Sequence, residues 1–117
     1  MKVHHIALRT AEVERLVRFY TTVLGFEAVR TTPRSVWLGA GGAVLMIELR
    51  EDGEPDVPRG AMELVAFAID DESLAPWAQR LAAAGVSVEG ATAHTLYFRD
   101  PDGRRVGLSR YPLSQSK

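Results

Sequence analysis

The amino-acid sequence repeats itself once, and this repeat limits the folds that the chain can adopt. His5–Leu8 matches Leu64–Phe67, and Ile47–Leu49 matches Val106–Leu108, both at a spacing of about 59 residues. Two copies cannot build a solenoid, which needs three or more. The repeat therefore favours a duplicated module, in which each half of the chain forms the same arrangement of helix and strands.

The first half of the chain predicts the element order βαβββ. Val3–Arg9 is rich in apolar and β-favouring residues, and Thr10 offers a side-chain oxygen where a helix can start. Apolar side chains then recur at steps of three and four residues from Val13 to Leu24, until Gly25 ends the helix. The strands that follow are predicted at residues 26–29, 35–38 and 43–50.

The second half repeats this order after a linker. Residues 51–60 carry two prolines, two glycines and five charged residues, with no apolar period. Beyond them the predicted elements are a strand at 62–69, a helix around 74–84 and strands at 86–89, 92–98 and 104–110. Asp100–Gly103 joins the last two strands and predicts a tight turn, because proline presets φ and glycine accepts a positive φ. The sequence thus predicts a single domain over 1–117, divided into a first module at 1–50, the linker at 51–60, a second module at 61–112 and a tail at 113–117.

Alternation along the strands predicts which side chains point away from the core. In the first strand Ile6 and Leu8 are the natural core side, which leaves His5 on the opposite face. The same reasoning applies to the other three strands that carry the repeat. The four repeat-matched positions that land on the non-core face are His5, Glu48, Leu64 and Gly107.

The composition argues against several classes of function. A net charge of -1 provides no field to attract nucleic acid or an anionic membrane. The absence of cysteine excludes disulfides, thiolate zinc sites and cysteine nucleophiles. No apolar run approaches the roughly 20 residues of a membrane span, and the first residues lack the pattern of a signal peptide, so we expect a cytoplasmic protein. The sequence also contains no G-x-S-x-G, phosphate-binding glycine loop or H-E-x-x-H motif.

Three segments together make the chain resemble the vicinal oxygen chelate superfamily, the group of glyoxalases, bleomycin-resistance proteins and extradiol dioxygenases. They are His5–Leu8, Phe19–Phe26 and Tyr97–Gly103. The resemblance implies an α+β fold in which two βαβββ modules pair into a curved, half-open mixed sheet cup. It also implies a ligand site on the concave face, a homodimer and, in many members, a divalent metal held by one His and one Glu from each module.

Carried over residue by residue, the resemblance implies His5 and Glu48 as the metal ligands of the first module. The matching positions of the second module hold Leu64 and Gly107, which have no side-chain atom that can coordinate a metal. Two protein ligands hold zinc, nickel, manganese or iron much more weakly than three or four. We therefore expect no cofactor, and only weak binding of any divalent metal. A salt bridge to an arginine is the structural alternative for Glu48.

Two functions are developed at this point, and a third, association with a partner as the main task, is neither supported nor excluded by the sequence. The first is binding of a small, aromatic or anionic molecule in the cup without a complete metal site, as the resemblance to bleomycin-resistance proteins suggests. The second is a metal-dependent lyase, isomerase or dioxygenase of the glyoxalase or extradiol type that uses a reduced site at His5 and Glu48. In that enzyme Glu48 is the catalytic residue that moves a proton, and His94, Glu63 or the substrate itself serves as a further metal ligand. The side chains predicted to bind the ligand are Arg9, Trp37, Met46, Leu64, Tyr97 and Arg105.

Overall fold

The computed structural model of the protein describes residues 1–70 and 72–113. The chain falls into two compact units, and the boundary between Pro58 and Arg59 lies inside the segment predicted as the linker. Each unit contains one helical segment and one four-stranded mixed sheet. Of the tail predicted at 113–117, residues 114–117 lie outside the described part of the chain.

The first unit has the element order βαβββ. Its elements are β1 (Ile6–Thr10), α1 (Val13–Arg18) continued by a π-helical turn (Phe19–Val23), β2 (Glu27–Thr32), β3 (Ser35–Ala40) and β4 (Ala43–Leu49). The strand order in the sheet is β1-β4-β3-β2, with β1 parallel to β4 and the other pairs antiparallel.

The second unit repeats this topology. Its elements are β5 (Leu64–Ala68), α2 (Ala75–Ala83), β6 (Gly90–Ala91), β7 (Thr95–Arg99) and β8 (Arg105–Ser109). The strand order is β5-β8-β7-β6, and β5 runs parallel to β8. The α+β fold class with two βαβββ modules is therefore confirmed.

The first helix starts later than predicted and ends where predicted. Thr10 still belongs to β1, and its hydroxyl accepts a hydrogen bond from the backbone N–H of Glu12 at 3.1 Å before the helix begins at Val13. In the π-helical turn the hydroxyl of Thr21 donates to a carbonyl oxygen of the preceding turn at 2.9 Å, a bond that competes with regular helical pairing. Gly25, with a φ of 84°, then reverses the chain into β2.

The core of the first unit forms where α1 and the π-helical turn pack on β3 and β4. Leu38, Leu45 and Ile47 are fully buried on the helix side of the sheet. Tyr20 is also buried and meets Phe26 edge to face, with 5.9 Å between the ring centroids. Leu8, Leu45 and Ile47 are buried as alternation predicts, and the opposite side chains of β1, β3 and β4 form the non-core face.

The prediction of a strand at residues 86–89 is wrong, because the strand at this place, β6, covers only Gly90–Ala91. After Gly85, with a φ of 76°, the N–H of Val86 bonds back to the carbonyl of Leu81 at 2.9 Å and closes the last turn of α2. Pairing with β7 begins only when the N–H of Glu89 reaches the carbonyl of Tyr97 at 2.8 Å, and β6 is two residues long. The apolar residues of this stretch predicted a strand, but the helix ending occupies the first of them.

The turn between β7 and β8 is built around the side chain of Asp100, which is fully buried. Its Oδ1 accepts hydrogen bonds from the backbone N–H groups of Asp102 at 2.9 Å and Arg104 at 3.0 Å. The guanidinium of Arg104 lies 3.3 Å from the other carboxylate oxygen, and Gly103 has a φ of 94°. The turn predicted at Asp100–Gly103 is therefore confirmed, with the first aspartate as its centre.

Among residues 1–70 and 72–113, no helix is both long and apolar enough to cross a membrane.

Candidate functional site

The non-core face of each sheet consists of cross-strand rows, because residues paired across neighbouring strands project to the same side. A row here is a set of three side chains, one from each of three adjacent strands. The rows of the first unit are Ala7–Met46–Trp37 and Arg9–Glu48–Ser35. The rows of the second unit are Leu64–Arg105–Arg99, Ala66–Gly107–Tyr97 and Ala68–Ser109–Thr95.

Pairing across the strands gives a different correspondence between the two halves of the chain from the one that the 59-residue spacing gives. Gly107 pairs with Tyr97, as Met46 pairs with Trp37. Met46 is therefore the structural counterpart of Gly107, although the 59-residue spacing matches Gly107 with Glu48. The reason is the longer loop of the second unit, since two residues connect β3 to β4 and five connect β7 to β8. This extra length moves β8 by two residues in register.

The aromatic rings of the first unit meet at the edge of the row that contains Trp37. The centroids of the His5 and Trp37 rings are 4.7 Å apart, with 54° between the ring planes. Both side chains are half-buried, as is Met46 beside Trp37. His5 also shares a hydrogen bond with His4, whose Nδ1 lies 2.9 Å from the Nδ1 of His5. This end of the face is an aromatic and thioether surface.

Glu48 forms the salt bridge that is the structural alternative to its role as a metal ligand. Its carboxylate pairs with the guanidinium of Arg9, and the two side chains are 31% and 40% exposed. Arg9 is shared with a second carboxylate, Glu54, which accepts a bond from its Nε at 2.9 Å. Sequence reasoning missed Glu54, because 45 residues separate it from Arg9 and its segment has the composition of a linker.

Glu54 reaches the sheet because its segment folds back on the first unit. The backbone N–H of Glu51 donates to the Glu54 carboxylate at 2.8 Å, and Arg50 pairs with Asp56 at 2.6 Å. Hydrogen bonds from Arg9 and from this backbone N–H lower the pKa of Glu54 to about 2. The same contact with Glu54 raises the pKa of Arg9 above its ordinary value. Both groups are therefore ionised at neutral pH.

We expect Glu54→Gln to weaken the dependence of stability on acid pH. A carboxyl whose pKa is lowered by folding stabilises the protein above its unfolded pKa, near 4.5, and loses that contribution as the pH falls toward 2. The melting temperature of the unaltered protein should therefore fall more between pH 4.5 and pH 2 than that of the variant. Glu51→Gln, at a carboxylate that is 72% exposed, is the control and should follow the unaltered protein. If the melting temperatures of both variants fall with pH as steeply as that of the unaltered protein, the expected role of Glu54 is contradicted.

The residues present do not fit a multi-ligand metal site. His5 precedes Ile6, which pairs with Leu45, whereas Glu48 pairs with Arg9. The backbones of His5 and Glu48 are thus about four residues apart along neighbouring strands, or roughly 13 Å, and each side chain is engaged elsewhere, His5 with Trp37 and Glu48 with Arg9. Within residues 1–70 and 72–113, no group of three His, Asp or Glu side chains could hold a metal ion. The partial site at His5 and Glu48 stays a prediction.

Gly107, the position that the resemblance implies for a metal ligand in the second unit, is surrounded by apolar groups. A Cβ atom at Gly107 would lie 3.2 Å from the Cβ of Ala66, 3.4 Å from Cδ1 of Leu64 and 3.5 Å from Cγ2 of Thr95. Leu64 therefore leans over the glycine rather than away from it. A larger side chain at position 107 has to displace these neighbours.

A cluster of charged side chains surrounds Tyr97 in the second unit. The guanidinium carbon of Arg105 lies 4.3 Å from the centre of the Tyr97 ring. The carboxylate of Glu89 accepts hydrogen bonds from Nε of Arg105 and Nε of Arg99, each at 3.0 Å. The bonds from Arg99 and then Arg105 lower the pKa of Glu89. Glu89 and Arg99 were missed from the sequence, because Glu89 precedes the very short β6 and no local pattern connects it with β7.

The two residues considered as extra metal ligands, Glu63 and His94, both belong to the second unit. Glu63 precedes β5 and is exposed. The ring of His94 packs edge to face against Tyr111, with 5.3 Å between centroids. Its buried Nδ1 has no hydrogen-bond partner among the residues that the structure describes.

Residues 2–108 match the family model described as the Glyoxalase/Bleomycin resistance protein/Dioxygenase superfamily. The chain is 29% identical to a probable lactoylglutathione lyase of Vibrio parahaemolyticus, over 92% of the chain and 88% of that protein. It is 30% identical to a catechol-2,3-dioxygenase of Bacillus subtilis over 86% of the chain, but it spans only 38% of that protein's length. The crystal structure of a lactoylglutathione lyase from Agrobacterium tumefaciens superimposes with a TM-score of 0.73 at 26% identity, covering 92% of each chain. The chain therefore belongs to the glyoxalase, bleomycin resistance protein and dioxygenase superfamily, as its sequence motifs implied.

Proposed function

We propose that the protein binds a small, aromatic or anionic molecule on the non-core faces of its sheets, without a complete metal site. The observation that carries this proposal is the row Ala7–Met46–Trp37, with the ring of His5 against Trp37. This row presents aromatic and apolar surface and contains no histidine, aspartate or glutamate.

The chemistry of this row suits a flat ligand. Trp37 offers a large, rigid aromatic surface, and the flexible thioether of Met46 adapts to different shapes. Ala7, on the edge strand, is exposed and leaves room above the sheet. A planar molecule that packs on Trp37 and Met46 would gain apolar contact without displacing a charged group.

The other residues proposed to bind the ligand are two arginines and two apolar or aromatic side chains, namely Arg9, Arg105, Leu64 and Tyr97. Arg9 is held by two carboxylates, so it takes part only when a ligand anion replaces one of them. Leu64 is 40% exposed and shares its row with Arg105. Tyr97 lies under Arg105 and orients it.

The alternative function is a metal-dependent lyase, isomerase or dioxygenase that uses His5 and Glu48. The printed names of two relatives, a probable lactoylglutathione lyase and a catechol-2,3-dioxygenase, favour it. In such an enzyme Glu48 would first have to leave Arg9, and the ring of His5 would have to leave Trp37. These two existing contacts make the binding function the better-supported proposal.

Trp37→Ala is expected to weaken the binding of a neutral aromatic probe, 1-naphthol, by about tenfold, since stacking on an aromatic side chain contributes about 1 kcal/mol or more. The measurement is an isothermal titration calorimetry experiment in the presence of EDTA, in which the unaltered protein should show saturable binding. Trp77→Phe, on α2 of the second unit, is the control and should keep the affinity of the unaltered protein.

The same titration separates the two functions when nickel, zinc, manganese or iron(II) replaces EDTA. Binding that appears only with metal, and that disappears in a His5→Ala, Glu48→Gln double variant, would overturn the proposal in favour of the enzyme. Equal affinity with EDTA and with each metal would support it.

The assembly and location of the protein form part of the same proposal. We propose a cytoplasmic homodimer whose partner is the small ligand, with neither nucleic acid nor membrane as a target. The net charge of -1 supports the absence of a nucleic-acid partner.

A further inference from the structure

Arg105 is held in a fixed orientation by two neighbours. Its Nε donates to Oε1 of Glu89 at 3.0 Å, and its guanidinium plane lies over the ring of Tyr97. The Arg105 side chain is 21% exposed, so most of it is covered and a part of it reaches solvent. An arginine fixed in this way loses little conformational freedom when it binds a ligand.

The terminal nitrogens of Arg105 have no hydrogen-bond partner among the described residues, and no salt bridge other than that with Glu89 is formed by this side chain. The neighbouring arginine differs, because Nη1 of Arg99 donates to the carbonyl oxygens of Ala61 and Gly103 and its Nη2 lies 3.9 Å from the sulfur of Met62. Of Arg99 and Arg105, it is thus Arg105 whose terminal nitrogens can still donate hydrogen bonds to a ligand. Its two terminal N–H groups form the parallel fork that binds two oxygens at once.

The charge of the cluster sets the charge of the ligand. Arg99 and Arg105 contribute two positive charges and Glu89 one negative charge, which leaves a single positive charge to be balanced. A monoanion balances it, whereas a dianion places excess negative charge close to Glu89. In the same row Leu64 exposes apolar surface beside Arg105, where the body of a small ligand can pack.

We infer that Arg105, oriented by Glu89 and Tyr97, binds the carboxylate group of a small monoanionic ligand whose apolar body packs against Leu64. This inference rests on the proposed ligand-binding function and gives it a chemical class. The lowered pKa of Glu89 supports it, because Glu89 remains ionised and keeps Arg105 in place at neutral pH.

Benzoate is the probe that tests this site, followed by amide chemical shifts in a two-dimensional NMR titration at pH 7. We expect saturable binding with a dissociation constant on the order of 1 mM, and shifts centred on Tyr97 and Arg105. Arg105→Gln should weaken it by about tenfold or more. Arg105→Lys should also weaken it, since an ammonium group cannot form the paired bonds. The control is Arg80→Gln, which removes another ring-stacked arginine, 5.0 Å from the centre of Trp77, and should bind benzoate normally.

Several results would overturn the inference. They are the absence of saturable benzoate binding, equal affinity in Arg105→Gln and Arg80→Gln, and full affinity in Arg105→Lys. Benzyl alcohol binding as tightly as benzoate would show that the carboxylate is not recognised. Phenylphosphonate binding more tightly would assign the site to a dianion instead. Binding of 1-naphthol at Trp37 is measured on the same samples, so its persistence when benzoate fails leaves the proposed function intact.

Discussion

Replacing Asp100 with alanine is expected to lower the free energy of unfolding by about 3 kcal/mol. The side chain is fully buried and accepts hydrogen bonds from two backbone N–H groups, those of Asp102 and Arg104. Alanine would leave both donors without their partner and would also leave the guanidinium of Arg104 beside an empty space. Urea unfolding followed by circular dichroism measures the change, because the midpoint shifts with stability when the slope is constant.

One further variant separates the hydrogen bonds from the charge at this turn, and a second, at an exposed aspartate elsewhere, is the control. Asp100→Asn keeps an oxygen that can accept the backbone bonds, so its loss of stability should be clearly smaller than that of Asp100→Ala. Asp56→Ala removes an aspartate that is 87% exposed and paired with Arg50, and should cost less than about 1 kcal/mol. A similar small loss for Asp100→Ala would mean that the turn does not depend on its first aspartate.

Gly107→Glu is expected to lower the free energy of unfolding by about 2 kcal/mol, because it overpacks a filled position. This change introduces the residue type that the resemblance implies for a metal ligand. The new Cβ would lie 3.2 Å from the Cβ of Ala66, which cannot rotate away, and 3.4 Å from Cδ1 of Leu64. Urea unfolding again provides the measurement.

Gly42→Glu is the matched control, since nothing lies within 4 Å of a Cβ placed there and the glycine is exposed. Its effect should remain within about 0.5 kcal/mol. If Gly107→Glu proves as stable as this control, Ala66 and Leu64 do not close position 107, and the second unit has room for a ligand side chain there.

Local sequence patterns were sufficient for the elements that depend on neighbours in the chain. Gly25 ends the first helical segment and Asp100 organises the last turn, as their residue types predict. Alternation also identified Leu45 and Ile47 as buried. These features depend on backbone geometry within a few residues, and residue types predict such local geometry well.

The candidate site depended on longer-range information. The counterpart of Gly107 is Met46 and not Glu48, because loop length sets strand register and a short sequence match does not detect it. The shift is two residues, which is one period of strand alternation, so the predicted face is right while the position along the strand differs. Glu54 and Glu89 reach their arginines through loops whose path no periodic pattern describes.

Glu54 competes with any anionic ligand for Arg9, because it already pairs with this arginine. The carboxylate is tethered by a short segment, so it meets Arg9 at an effective concentration of about millimolar or higher. A dissolved anion at lower concentration therefore leaves Arg9 occupied, and only a ligand that also gains apolar contact, such as packing on Trp37, can displace the tethered group. Selection by the first unit then favours the shape of a molecule over its charge.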